Sequence, residues 1–135
     1  MRQVTLPKTK IAHKKSYKRK RAYKRGVWAE YGAAAYFILK GYKLLKWRYK
    51  TPGGEIDLIL SKGSGLVFVE VKSRCDQRQA LESITAKNRA RIEKAASYFL
   101  FDHSEWSNAS LRFDVFTHSG LFSFQHLDNA WEVRS

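Results

Sequence analysis

Cysteine is nearly absent from this 135-residue chain, and acid is wholly absent from its first 26 residues. The single Cys75 excludes an internal disulfide and a multi-cysteine zinc site, and it suits a reducing compartment. No apolar run approaches the roughly 20 residues of a membrane span, and the start lacks a hydrophobic secretory core. A soluble, cytoplasmic protein is expected, and the basic start shows no clear amphipathic apolar face of the transit-peptide kind. No Gly-x-Ser-x-Gly elbow supports serine nucleophile chemistry, and no Gly-x-x-x-x-Gly-Lys loop cradles a nucleotide phosphate. The histidines His13, His103, His118 and His126 lack compact metal-ligand spacing and read as surface or hairpin residues.

What remains is apolar enough to fold and strongly basic: 44% hydrophobic, 14% aromatic, 26 Lys+Arg against 12 Asp+Glu, net +14. The length bounds the chain to one domain. Residues 1–26 hold 11 Lys or Arg, so the rest carries only +3. Residues 1–25 therefore read as a basic arm ahead of a single domain over 26–135. Its run "HKKSYKRKRAYKR", with Lys18, Arg19, Lys20 and Arg21 at the centre and Tyr17 and Tyr23 interleaved, suits a polyanion such as nucleic acid. A solvated tail is the competing reading.

"RGVWAEYGAAAYFILKG" is rich in helix formers and predicts a helix from about Gly26 to Lys40, stopped at Gly41. "YKLLKWRYK" reads as a strand running into the turn Thr51-Pro52-Gly53-Gly54. "EIDLIL" and "LVFVEVKS" are the second and third strands. Helical spacing of Ile84, Ile92, Ala95, Ala96, Phe99 and Leu100 predicts one helix from about Leu81 to Asp102. "LRFDVFTHSGLFSFQHLD" alternates around Ser119-Gly120 and reads as a closing hairpin, giving the order α-β-β-β-α-β-β.

Two of these strands carry charge where apolar residues are expected. A short loop over Lys62–Gly65 sets Ser61 against Leu66, Leu58 against Val69 and Asp57 against Glu70. Strict alternation puts Asp57 on one face with Glu55 and Ile59, and Glu70 with Phe68 and Lys72. Opposed carboxylates, about 5 Å apart at Cβ, destabilise a sheet unless something positive intervenes. Lys72 is one candidate; Mg²⁺ or Mn²⁺, which prefer clustered oxygen ligands, is another. A hard cation there would acidify a water and polarise a phosphoryl oxygen. An ordinary salt-bridged sheet face is the alternative. Glu30, among small neighbours on the first helix, reads either as a third carboxylate for this site or as a solvated helix charge.

Three segments, "RGVWAEYGAAAYFILKGYKLLKWRYKTPGGEIDLIL", "LVFVEVKSR" and "LRFDVF", resemble the YraN family of small bacterial proteins. That family is similar in turn to restriction-endonuclease-like nucleases with an Asp…Glu-x-Lys signature and to archaeal Holliday junction resolvases. The resemblance spans roughly Arg25 to Trp131; the basic arm lies outside it. It implies an α/β, restriction-endonuclease-like fold, a mixed central β-sheet flanked by helices. It implies further that Asp57 and Glu70 bind the metal, that Lys72 positions water or stabilises charge, and that Glu30 completes the catalytic set. Glu55 is a supporting residue.

The expected function is thus a Mg²⁺- or Mn²⁺-dependent endonuclease, a hydrolase acting on DNA, including branched or otherwise structured DNA. The alternative is a nucleic-acid-binding module on the same fold that does not cleave, and a third reading is an interaction domain docking on an acidic partner or ribosomal RNA. A symmetric junction would favour a homodimer. Lys87 and Arg91, four apart on the second helix, are candidates to follow a phosphate backbone, with a solvated helix face as the competing reading. Asp114 reads equally as a structural partner of Arg112. The four tryptophans are expected to pack, Trp47 being a candidate to sit near bases.

Overall fold

A computed structural model describes residues 27–73, 77–118 and 123–133. The basic arm, Cys75 and the Ser119-Gly120 turn lie outside the described residues. Helix α1 covers 27–39. Ala29, Ala33 and Phe37, one turn apart on its inner face, are all but closed to solvent. Gly41 ends the helix as its position predicts, at φ 92. Tyr42 N–H donates to Phe37 C=O at 3.0 Å and Gly41 N–H to Ile38 C=O at 3.0 Å, a Schellman closure that requires the left-handed residue. The Phe37 and Tyr42 rings, with centroids 5.2 Å apart, clasp it.

Strands β1 (Lys43–Thr51), β2 (Gly54–Lys62) and β3 (Gly65–Lys72) form an antiparallel meander. Helices α2 (Gln77–Ser83) and α3 (Ala86–Asp102), with a 3-10 turn at Ser104–Trp106, carry the chain across to β4 (Ser110–His118), which lies parallel to β3. β5 (Phe124–Trp131) returns antiparallel, and the five strands stand in the order β1-β2-β3-β4-β5. This is the α/β architecture with a mixed, helix-flanked sheet expected from the sequence. The single helix expected over Leu81–Asp102 is broken, however. Thr85 is extended (φ −74, ψ 165), and its hydroxyl accepts the Asn88 N–H at 3.2 Å, so α3 starts anew from a side-chain cap.

Apolar residues fill both faces of the sheet. On one, Ile59, Phe68, Phe113 and Val115 pack against Ile92, Ala95, Ala96 and Phe99 of α3. On the other, Leu58, Leu60, Val67, Val69 and Phe116 pack against Ala33 and Phe37 of α1. Each fully buried Phe contributes roughly 2–3 kcal/mol of transfer free energy, so both helices are held by the sheet rather than by propensity. The β1–β2 turn abuts α3 so closely that a Cβ on Gly54 would lie 2.4 Å from the Arg91 carbonyl oxygen. No helix among the described residues is long and apolar enough to cross a membrane.

Candidate active site

The β2–β3 hairpin is tighter than the four-residue loop expected, since Lys62 and Gly65 already pair, with Gly63 left-handed at φ 59. The expected register nevertheless holds from Ser61↔Leu66 to Leu58↔Val69, where the backbone ladder stops. In place of a further ladder bond, the Val71 N–H donates to Asp57 Oδ2 at 2.8 Å. Strict alternation does not survive here. Ile56 packs on the α3 face and Leu58 on the α1 face, and their β1 partners Tyr49 and Trp47 follow them to opposite sides. The phase inverts at the facing residues Arg48 and Asp57, and Arg48 makes it possible with φ 53. The strict alternation expected along β2 is thereby corrected, because one left-handed residue on β1 turns both strands, although Glu55 and Ile59 both stay on the side of α3.

The inversion brings the Asp57 carboxyl into the sheet near Glu70, close enough that the two acids act on each other's protonation. Burial first, then the charge of Glu70, push Asp57 up to about 8, against the pull of the Val71 N–H. Burial likewise raises Glu70, and Lys72 only partly offsets it. Lys72 Nζ lies 3.3 Å from Glu70 Oε1. Two acids sharing one site and one proton form a strained pair that a cation would relieve.

Glu30 reaches the same region from α1, and its charge raises both carboxyls. Its Oε2 accepts from Trp47 Nε1 at 2.9 Å and Arg48 Nε at 2.7 Å. It is therefore not a solvated helix charge, and its bonds run to Trp47 and Arg48 rather than to Asp57 or Glu70. Glu55 is exposed and lines, with Glu70, Lys72, Asn88, Arg91 and Ile92, an open cleft of about 360 Å³. Arg91 thus faces the carboxylates, whereas Lys87 is exposed on α3 outside the cleft lining. Lys18, Arg19, Lys20 and Arg21 lie outside the described residues. A larger cleft of about 800 Å³, lined by Tyr42, Lys62 and Arg112 among others, opens at the other end of β3, away from the carboxyl pair.

Among the described residues no group of three or more His, Cys, Asp or Glu side chains is arranged to hold a metal ion. Two carboxylates still fit Mg²⁺ or Mn²⁺, since Mg²⁺ is commonly held by one or two, with water and substrate phosphate supplying the remaining oxygens. The partly buried pair of neighbouring carboxyls, with Lys72 3.3 Å from Glu70, is the observation that makes the fit.

Sequence reasoning missed a second polar centre. Asp114 is fully buried and accepts from Arg112 Nε and Nη2, both at 2.8 Å, from the Asn129 N–H at 2.9 Å and from His126 Nε2 at 2.6 Å. His126 Nδ1 meets the Tyr36 hydroxyl at 3.1 Å, and Arg112 also donates to the Tyr42 hydroxyl at 2.9 Å. Burial alone would raise Asp114, but His126, Arg112 and Asn129 hold it below the ordinary carboxylate range. The structural Arg112–Asp114 pairing is present, and it ties α1 and β5 to β4. The sole signal in the sequence was the i, i+2 spacing of Arg112 and Asp114, which places them on one strand face.

The fold and the carboxyl pair define a small α/β protein with a mixed five-stranded sheet and an acidic site at the end of its central hairpin. The profile of the family described as "Uncharacterised protein family UPF0102" matches residues 29–117, and the chain belongs to that family, the YraN family of the sequence resemblance. It is 44% identical over 97 residues to the UPF0102 protein of Maricaulis maris, covering 72% of this chain and 76% of that one. It is 39% identical over 125 residues to that of Mesorhizobium japonicum, covering 93% and 100%. It is 42% identical over 100 residues to that of Agrobacterium fabrum, covering 74% and 82%.

Proposed function

We propose that this protein is a metal-dependent endonuclease that hydrolyses DNA phosphodiesters, with branched or otherwise structured DNA as its substrate. The observation that carries the reading is the partly buried Asp57–Glu70 pair with Lys72 3.3 Å from Glu70, where Glu70 and Lys72 line a cleft with Arg91. Asp57 and Glu70 would hold Mg²⁺ or Mn²⁺, which when bound supplies charge neutralisation for a phosphodiester oxygen and acidity for a water. Lys72 brings a positive charge to the place where negative charge develops on the attacked phosphate. Glu30 acts through Arg48 and Trp47, fixing the β1 segment that positions Asp57. Arg91 offers a planar, bidentate donor to a flanking phosphate.

The test is a cleavage panel of duplex, single-stranded, flap and four-way-junction DNA with Mg²⁺ or Mn²⁺. Asp57→Asn and Lys72→Ala should each lower the rate roughly 100-fold or more. Cleavage that survives both substitutions would sink the assignment. A protein that binds DNA with a steep salt dependence but yields no product with either metal would be a non-cleaving module instead.

A further inference from the structure

On the α1 side of the sheet, linked to the carboxyl site through Glu30, lies a row of aromatic rings that the core does not use. Trp28, Tyr31 and Trp47 are 71%, 52% and 40% exposed. Their centroids are 6.2 Å apart from Trp28 to Tyr31 and 4.8 Å from Tyr31 to Trp47. The Arg48 guanidinium carbon lies 5.6 Å from the Trp47 ring. The row is joined to the site, because Trp47 Nε1 and Arg48 Nε both donate to Glu30 Oε2, and the charge of Glu30 reaches Asp57 and Glu70.

Its surroundings are mostly basic, with Glu30 held by Trp47 and Arg48 and Glu55 paired across from Lys50 as the acids at its ends. From Tyr31 to Gly54 the chain has Lys40, Lys43, Lys46, Arg48 and Lys50 and no acid, and Lys46 and Lys50 are exposed on the edge strand β1. Exposed aromatic faces set among cations match a ligand that has both flat rings and phosphates. In a duplex each base is already stacked and paired, so side-chain rings can take up only bases that are unpaired or splayed out.

We propose that Trp28, Tyr31 and Trp47 form a stacking platform for unpaired nucleobases, delivering a single-stranded stretch of the substrate to the Asp57–Glu70 site. This rests on the nucleic-acid reading of that site and narrows its substrate class to DNA with an unpaired segment beside the scissile phosphate.

The experiment is fluorescence anisotropy of the full chain in EDTA, with a labelled single-stranded oligonucleotide and the matched blunt duplex at one salt concentration. Trp28→Ala and Tyr31→Ala should each weaken single-strand binding roughly 5- to 100-fold, as loss of a base–aromatic stack does, and change duplex binding by less than about twofold. Trp28→Phe, which keeps a ring, should restore most of the affinity. Trp47→Phe, which keeps the ring but not the N–H to Glu30, should bind single strands and cleave poorly. Equal weakening on both ligands, or undiminished single-strand binding by the double Trp28→Ala, Tyr31→Ala variant, would overturn the platform. Binding is read here in EDTA and cleavage in the separate metal panel, so the two proposals fail separately: a chain that stacks single strands on this row but never cuts overturns only the endonuclease. One that cuts yet ignores the row overturns only the platform.

Discussion

Replacing Asp57 with asparagine should make the metal-free protein more stable, the reverse of what a buried polar substitution ordinarily does. The amide oxygen can keep the 2.8 Å acceptor role toward Val71 N–H, and the amide nitrogen turns a repelling neighbour of Glu70 into a donor. Asp57 is raised from 3.8 to about 8. At about 1.4 kcal/mol per pH unit that interval sets an upper bound of roughly 6 kcal/mol, and relaxation with water entry brings the expected gain to roughly 2–4 kcal/mol. The sign follows from proton binding. Between about pH 4 and pH 8 the folded chain holds a proton on Asp57 and the unfolded chain does not, so this group's contribution falls as pH rises and is flat above about 8. Urea unfolding in EDTA at about pH 5 and about pH 9 should show the advantage of Asp57→Asn widening with pH. Adding Mg²⁺ should raise the stability of the wild type and leave the variant nearly unmoved. A variant less stable than wild type at high pH would refute the account of the pair, and an equal Mg²⁺ response would refute the cation's place in it.

Asp114→Ala should cost roughly 3–5 kcal/mol in urea unfolding, because it leaves Arg112 without its carboxylate partner and removes the acceptor of three donors. With Asp114 held below its ordinary 3.8, the stabilisation it gives is present above that value and is lost as pH falls through its lowered folded-state value, so acid unfolding of the wild type should retain this step and the variant should lack it. Gly54→Ala should lower stability by roughly 1–3 kcal/mol by forcing the β1–β2 turn away from the Arg91 carbonyl, and a Tm unchanged from wild type would refute that contact.

The legible parts of this fold are those decided within a few residues. Gly41 stops α1 because only a left-handed residue closes that motif, and the Gly63 turn sets the β2–β3 register because a two-residue loop leaves no other. The helix break at Thr85 was legible in principle, since its hydroxyl finds Asn88 N–H three residues on, but the apolar spacing of α3 masked it. The Asp114 centre was not legible, because Tyr36 and His126 are 90 residues apart and only the packing of α1 and β5 on β4 brings them together.

The sequence by itself determined the β2–β3 register up to Leu58↔Val69, which brings Asp57 and Glu70 into one neighbourhood with Lys72 alongside, since turn length is a local property of the chain. The tertiary structure alone decided how they face. Arg48, held by Glu30 from another element, flips the phase of β1 and β2 at Asp57. A carboxylate that alternation would leave on one sheet face is thereby buried against its neighbour, and burial, which no pattern of residues records, is what raises its pKa and invites a cation.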